Sequence, residues 1–339
     1  MKEKEYPSLI YNTRRRATFD PQPTFFKKRL QETPSKLIDD FLSELSANEN
    51  GTLWSTSLKI PYGDFDLSQE YLSVYPVLHQ QFLDSLRGLI PLVTVTPYNE
   101  FLGTIRQHES EEWHTLRHLF ITASVSKVAY NLTPRGAKNY IASHLWGLNK
   151  MDEDDTPLAI EYGRQNENIA RKLYEEEMKI RDPTASVLQM GLTQSKQYHE
   201  LACSPDGVLE SKVNPKRAIE IKCPIRLQKV HPKLFDQYLK GKKLDDFYLY
   251  RDAFGKIRLK NDHSYYYQIQ MVLGILHLEQ CDLIVWSPKG IITIPINFDK
   301  LFWSDLAEGL VSNHHSLLIP EYFLMRTPRN LDVLILDIV

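Results

Sequence analysis

Apolar residues at Val74, Leu78, Phe82 and Leu86 recur at one-turn spacing and predict a helix over residues 71–89, with the run Leu92-Val93-Thr94-Val95 predicting a strand after it. A denser pattern begins near Glu109. Residues 111–120 read as a helix, residues 124–130 as the start of another with Thr122 or Ser124 available as its cap, and 134–147 and 158–179 as two more. The acidic loop Asp152-Glu153-Asp154-Asp155 separates the last pair. Short apolar runs then take over. Residues 200–204, 208–210 and 218–223 predict strands, 247–250 and 257–259 a hairpin turning through Asp252 to Gly255, and 265–278 a helix. Residues 283–286 and 291–295 predict two more strands ahead of a helix over 299–314. This order predicts an α/β (α+β) domain over residues 109–339, a mixed β-sheet flanked by helices. Residues 51–108 read as a helical and strand appendage, and residues 1–50, rich in Pro, Ser, Thr and charge, as a largely irregular basic extension.

Composition narrows the class. With 339 residues, 42% hydrophobic and 25% charged, the chain can bury one large core or two smaller ones, which excludes a disordered tail protein or a stapled miniprotein. The three cysteines, Cys203, Cys223 and Cys281, lack metal-ligand spacing and are expected to be free thiols. No apolar run approaches the roughly 20 residues of a membrane span, and the amino end opens with charge, so the expectation is a soluble intracellular protein without a membrane partner. Net charge is only −2, but residues 1–36 carry nine Lys/Arg against four Asp/Glu, and residues 222–260 eleven against four. A basic strip beside a carboxylate-rich remainder suits an enzyme that attracts phosphates in one zone and holds cations in another; solvated lysine faces give the same counts. Arg14-Arg15-Arg16 and Lys27-Lys28-Arg29 have the form of a bipartite nuclear import signal, and equally of a phosphate-binding arm or a plain basic tail.

The most informative stretch is Ser204-Pro205-Asp206-Gly207 followed by Glu220-Ile221-Lys222-Cys223-Pro224, with thirteen residues between Asp206 and Glu220. In an extended strand alternate side chains share a face, so Glu220 and Lys222 are expected together, with Ile219, Ile221 and Cys223 on the core side. A hairpin from the Pro-Asp-Gly turn would set Asp206 across from Glu220. Two carboxylates about 4 Å apart repel by roughly 4 kcal/mol at an effective dielectric near 20, so the pair wants a cation. Hard oxygen ligands without a His or Cys pattern favour Mg²⁺ or Mn²⁺ over zinc. Such an ion polarises a phosphoryl oxygen and activates water, while Lys222 orients that water or neutralises developing charge. A third acid, Glu167, lies one turn after Gly163, whose helix-propensity cost of about 1 kcal/mol suggests a close backbone approach. An incidental Glu/Lys hairpin pair and a solvated helix Glu are the ordinary alternatives.

Taken in order, Arg117-x6-Ser124, Gly163-x3-Glu167, Ser204-Pro205-Asp206-Gly207, Glu220-Ile221-Lys222-Cys223-Pro224 and Tyr267-Gln268-Ile269-Gln270 resemble the YqaJ-type viral recombinases, the lambda-exonuclease family of the PD-(D/E)XK superfamily. The resemblance spans about residues 109–290. It implies a restriction-endonuclease-like core and a Mg²⁺-dependent deoxyribonuclease, commonly a 5′ to 3′ exonuclease on double-stranded DNA ends in recombination or repair. By position it implies Asp206, Glu220 and the Ile221 carbonyl as metal ligands, Lys222 as the residue placing the attacking water, Glu167 as support for the metal site, and Gln270 as a contact to nucleophile or substrate. Arg117 and Ser124 correspond to the family's 5′-phosphate site, and a guanidinium with a hydroxyl at a helix start makes an anion hole. A surface salt bridge and a helix cap are the alternatives for those two residues. A homo-oligomer and a single-strand annealing partner are further implications. The family does not explain residues 1–100 or the basic insert at about 230–260.

An endonuclease or nickase on the same fold, and a DNA-binding module without turnover, are the competing functional readings. His114 and His118 have zinc-binding spacing but no third ligand. Cys223 is expected to be a small buried side chain. The run Tyr265-Tyr266-Tyr267 suits either base stacking or aromatic packing at a helix start.

Overall fold

The computed structural model describes residues 98–146, 157–324, 326–327 and 332–333, all within the unit Ile90–Val339. The two amino-terminal basic clusters, the 71–89 helix, the 92–95 strand and the acidic 152–155 loop lie outside the described residues. No helix among the described residues is long and apolar enough to cross a membrane.

The first sheet gathers β1 (Tyr98–Phe101), β2 (Ile121–Thr122), β4 (Leu192–Ser195) and β5 (Leu201–Cys203) in the order β1-β4-β5-β2. The second gathers β3 (Ser186–Leu188), β6 (Gly207–Glu210), β7 (Arg217–Lys222), β10 (Gln280–Ser287) and β11 (Gly290–Asn297) in the order β11-β10-β7-β6-β3. β7 and β10 run parallel while the other pairs of this sheet are antiparallel, which makes it mixed. β8 (Leu249–Arg251) and β9 (Ile257–Leu259) form a separate two-stranded ribbon. The helices are α1 (Glu111–Leu116), α2 (Ser126–Tyr130), α3 (Pro134–His144), α4 (Leu158–Arg181), α5 (Ser264–Leu276), α6 (Lys300–Asn313) and α7 (Ile319–Leu324), besides one-turn pieces at Phe235–Tyr238 and Lys242–Asp245.

The expected α/β fold with a mixed sheet flanked by helices is present. α4 buries Ala170, Tyr174 and Met178 at four-residue spacing against Ile219, Ile221 and Cys223 of the β7 segment, with Ile284, Trp286 and Ile291 beyond them. Lys179 and Arg181 in its last turn complement the helix dipole. A parallel β7–β10 pair requires a long crossover, and residues 223–279 supply it, ribbon and α5 included. α5 is buried from Ile269 to Leu276 and touches β7 and β10 as well as β4 and β5, so it fills the space between the two sheets. Gly274 lets α6 close onto it: a Cβ there would stand 2.2 Å from the Trp303 ring.

Differences from the sequence reading are local. Residues 117–119 and 123–125 tighten into 3-10 turns, and the 3-10 turn at Ala123–Val125 has no side-chain cap, neither from Thr122 nor from Ser124. β1 pairs with β4 from Tyr98↔Ser195 to Phe101↔Leu192, ahead of the Glu109 boundary expected for the domain. Gly163 accommodates no close neighbour, since a Cβ there would meet nothing within 4 Å.

Candidate active site

The antiparallel register Gly207↔Ile219 between β6 and β7 carries on by one step to set Asp206 opposite Glu220. Asp206 Oδ2 accepts the Ile221 backbone N–H at 2.6 Å, which locks the turn onto the neighbouring strand. Glu220 and Lys222 share a face as alternation requires, Nζ to Oε1 at 2.6 Å, while Ile219, Ile221 and Cys223 point into the core beneath α4.

α4 delivers Glu167 from its core-facing side, and Arg171 one turn later ties it to the rest. Arg171 donates from Nη2 to Glu167 and from Nη1 to Asn168, and its Nε reaches the Asp206 carbonyl at 2.9 Å. One buried guanidinium thereby fixes the third acid relative to the Asp206 turn. Arg171 is hidden in the sequence because a charged residue in a Glu-rich helix reads as solvated; its i, i+4 spacing from Glu167 is the visible signal.

The far side of the site comes from α5. Gln268 Nε2 donates to Glu220 Oε1 at 2.6 Å, and the Tyr265 ring lies 4.3 Å from the Lys222 ammonium. The expectation for Gln270 is corrected here. Its amide is buried and spent on the Asn297 carbonyl at 2.9 Å and the Asp299 N–H at 2.8 Å, so it staples α5 to the β11–α6 loop and does not face the nucleophile site. Two residues along a helix turn a side chain through about 200°, and the rotation of α5 presents Gln268 instead. Tyr266 and Tyr267 pack edge-on against Phe302, at centroid distances of 5.1 and 4.9 Å, so the tyrosine run serves aromatic packing.

The electrostatics show what the cluster lacks. Burial, then Asp206, pushes Glu220 up to about 8, and the same two influences push Glu167 up to about 7 against the pull of Arg171 and Lys222. Burial also raises Asp206, opposed by Lys222, the Ile221 N–H and Arg171. For Lys222, burial lowers the pKa, but Glu220, Tyr265 and Asp206 outweigh it and hold the ammonium above its usual range. One oxygen, Glu220 Oε2, is buried with no hydrogen-bond partner. An orphaned buried carboxylate oxygen beside a second carboxylate fits a small divalent cation, which satisfies it and lowers all three acids. Among the described residues no group of three or more His, Cys, Asp or Glu forms a ready metal cage. Two carboxylates and a main-chain carbonyl suit Mg²⁺, which keeps several waters and seldom takes an all-protein shell.

These shifts carry a stability signature. Glu220 and Glu167 bind protons more tightly folded than unfolded, so the native state is favoured most below the ordinary carboxylate range and loses that contribution as pH rises through about 7 to 8. Without metal, the melting temperature of the wild type should fall relative to Glu220→Gln between pH 5 and 9. Added Mg²⁺ should restore the wild type at pH 8 and scarcely change it at pH 5. Parallel curves for the two chains in the absence of metal would count against buried, raised carboxyls.

A second polar group adjoins the first. Trp113 of α1 donates from Nε1 to Ser204 Oγ at 2.9 Å, at the edge of the Asp206 turn. Arg117 lies over the Trp113 ring at 4.0 Å and donates from Nη2 to Ser124 Oγ at 2.9 Å and to Thr122 Oγ1 at 3.4 Å. The parallel pair β2–β5 sets these residues beside Cys203 and Ser204. Arg117 forms no ion pair with a carboxylate among the described residues, and removal from water lowers its pKa to about 10, still cationic at neutral pH. A guanidinium desolvated without an anion, beside a hydroxyl, has the chemistry to receive one.

This order of motifs along α1, α4, β7 and α5 agrees with a known domain. Residues 112–276 match the YqaJ-like viral recombinase domain. The matched segment begins at α1 and closes with α5, so the match spans every residue placed at the site above. The match supports nuclease chemistry. No curated protein matches the chain. Among solved structures, an alkaline exonuclease from Laribacter hongkongensis is similar at 19% identity and a TM-score of 0.46, covering 65% of this chain and 99% of its own. The Shutoff and Exonuclease Protein from Kaposi's sarcoma associated herpesvirus is similar at 13% identity and a TM-score of 0.40, covering 81% of each chain. A phage related exonuclease from Haemophilus somnus is similar at 15% identity and 0.40, covering 62% of this chain and 96% of its own.

Other candidates resolve as structure. His114 donates from Nε2 to the His108 carbonyl at 2.9 Å and His118 contacts the His144 carbonyl, so the two rings are held by different carbonyls. All three cysteines are free and buried, Cys223 in the core under α4.

Proposed function

We propose that the chain is a Mg²⁺-dependent DNA nuclease, with Mn²⁺ as a substitute, acting 5′ to 3′ from double-stranded ends in recombination or repair. The observation that carries the reading is the bond from Trp113 to Ser204, which joins an unneutralised guanidinium to the turn bearing Asp206. An anchor for one phosphate thus adjoins a cluster suited to attacking another.

Asp206, Glu220 and the Ile221 carbonyl would hold the cation, with Glu167 kept near them by Arg171. A divalent cation bound there supplies Lewis acidity to a phosphoryl oxygen and acidifies a water. Lys222 has one of its three donors on Glu220, which leaves two for the attacking water and a non-bridging phosphate oxygen. Its raised pKa keeps it an ammonium, suited to orienting water and neutralising charge, not to accepting a proton. Gln268 donates to the same Glu220 Oε1, which gives the carboxylate a second tether besides the lysine. Water adds to phosphorus and the P–O3′ bond breaks, leaving a 3′-hydroxyl on the released nucleotide. Because the P–O3′ bond is the one broken, the scissile phosphate stays on the shortened strand, so the Arg117–Ser124 pocket is offered a new 5′-phosphate each cycle.

The deciding experiment is metal-titrated digestion of end-labelled linear duplex beside covalently closed circles. Linear DNA should shorten from its 5′ ends only when Mg²⁺ or Mn²⁺ is present, with circles intact. Cut circles would replace the exonuclease by a nickase or endonuclease. Unchanged DNA of both kinds under both metals would leave a binding module.

A further inference from the structure

The β8–β9 ribbon belongs to the basic insert and takes no part in the chemistry above. Its root is tied to the active site: Tyr248 packs edge-on against Tyr265 at 4.9 Å, and Tyr265 in turn carries the Lys222 ammonium at 4.3 Å. Phe247, next to Tyr248, is buried against Phe235 at 5.5 Å. The ribbon is thus anchored at its root to the ring that faces Lys222.

Its far end is built and not frayed. Asp252 Oδ1 accepts the N–H groups of Phe254 at 3.0 Å and Lys256 at 2.9 Å, its carbonyl accepts Gly255 N–H at 2.9 Å, and Gly255 takes the left-handed φ of 76° that closes the turn. At the apex Phe254 is 96% exposed. A lone exposed apolar side chain is ordinary. Phe254 differs in its company. Tyr250, 43% exposed, stands directly across from Arg258 on the outer face of the ribbon. Behind them a groove of about 630 Å³ runs between the ribbon and the β11–α6 junction, lined among others by Tyr250, Lys256, Arg258, Asn261 and Lys300.

Charge selects the occupant. Of the two acids that line the groove, Asp252 is paired with Arg258 at 2.9 Å and Asp299 caps α6 by accepting the Phe302 N–H at 3.1 Å. Lys256 and Lys300 form no ion pair with a carboxylate among the described residues, and only Nε of Arg258 is engaged. An exposed ring beside a groove that brings Tyr250 together with the cations Lys256 and Lys300 has the chemistry of single-strand binding, in which bases stack on rings and phosphates follow the charges. A duplex conceals its base faces except at its ends, so an apex phenyl ring recognises unpaired bases.

We infer that the β8–β9 ribbon is a single-stranded nucleic-acid contact, with Phe254 stacking on an unpaired base and Tyr250, Lys256, Arg258 and Lys300 holding the strand in the groove behind it. This rests on the nuclease reading, because the strand it holds is the one leading to or from the cleaved bond. Phe254 is six residues from Tyr248, so the apex stands at most about 20 Å from the ribbon's root. A stacked strand rising about 3.4 Å per nucleotide covers that in about six nucleotides.

The test uses full-length chain carrying Lys222→Ala to suppress cutting, and three labelled probes measured by fluorescence anisotropy in Mg²⁺: a blunt duplex and duplexes with tails of about three and about twelve nucleotides. Adding Phe254→Ala should weaken the long-tailed probe by about fivefold or more, leaving the blunt and short-tailed probes and the melting temperature unchanged. Adding Lys256→Ala should reduce the magnitude of the log–log salt slope on the long tail by about 0.7. Equal affinities with and without Phe254 would overturn the inference and turn the exposed ring over to a protein partner. An equal loss on all three probes would overturn the single-strand assignment. Failure of the parent chain to bind any probe would instead remove the nuclease reading, so the two failures are distinct.

Discussion

Lys222→Ala should lower DNA cleavage by about 10²- to 10³-fold or more while the protein still folds, and Asp206→Ala should do at least as much. The first expectation follows from what Lys222 touches: Glu220 at 2.6 Å, the face of Tyr265, and otherwise the space where a phosphate would enter. Stranding a buried carboxylate is ordinarily destabilising by several kcal/mol. Here the penalty is avoided by protonation, because Glu220 is already raised to about 8 and loses in Lys222 one of the influences that keep it charged. Asp206 is more entangled, since its carboxylate also holds the Ile221 N–H at 2.6 Å. Asp206→Asn keeps an acceptor for that bond and removes the charge, so it separates chemistry from folding. Circular dichroism and thermal melts alongside a digestion assay complete the test. Wild-type turnover from either Lys222→Ala or Asp206→Asn would refute the assignment of the site.

The second large effect concerns the end of the substrate. Arg117→Ala should slow digestion of 5′-phosphorylated linear duplex by about 30-fold or more, the scale expected when one partner of a desolvated charge pair is removed. Digestion from 5′-hydroxyl ends should be unaffected, because the guanidinium has no phosphate to meet there. Arg117→Lys should recover only part of the loss: it keeps a charge but gives up both the bidentate fork and the planar stack on Trp113 at 4.0 Å. Equal slowing on both kinds of end would show that Arg117 acts through the fold, by way of Trp113 and Ser204, and not by holding a phosphate.

Much of this site was legible before any coordinates. Alternation along Glu220-Ile221-Lys222 divides a reactive face from a core face whatever the strand pairs with, and the Pro-Asp-Gly turn marks the hairpin that returns Asp206 to it. What escaped was either too short or too polar to register. β3 has three residues, and β4 buries Thr193, Gln194 and Ser195, with Gln194 bonded to the His199 carbonyl at 2.8 Å; a strand that buries polar groups gives no hydrophobic signal. Arg171 was hidden because burial of a charge is decided by its partners, and two of those, Glu167 and the Asp206 carbonyl, are 4 and 35 residues away. Gln268 and Gln270 were indistinguishable for a related reason. α5 is apolar on nearly every side, so no polar stripe records which of the two faces Glu220.

The sequence by itself determined the order of the elements, the faces of β7 and the chemistry available there, because propensity, alternation and turn preference act over a few residues. Tertiary structure alone decided the rotation of α5, the burial of Arg171, the orphaned oxygen of Glu220 and the junction of Trp113 with Ser204. Each of those depends on groups far apart along the chain, and local preferences contain no information about which distant surface will exclude water from a given side chain.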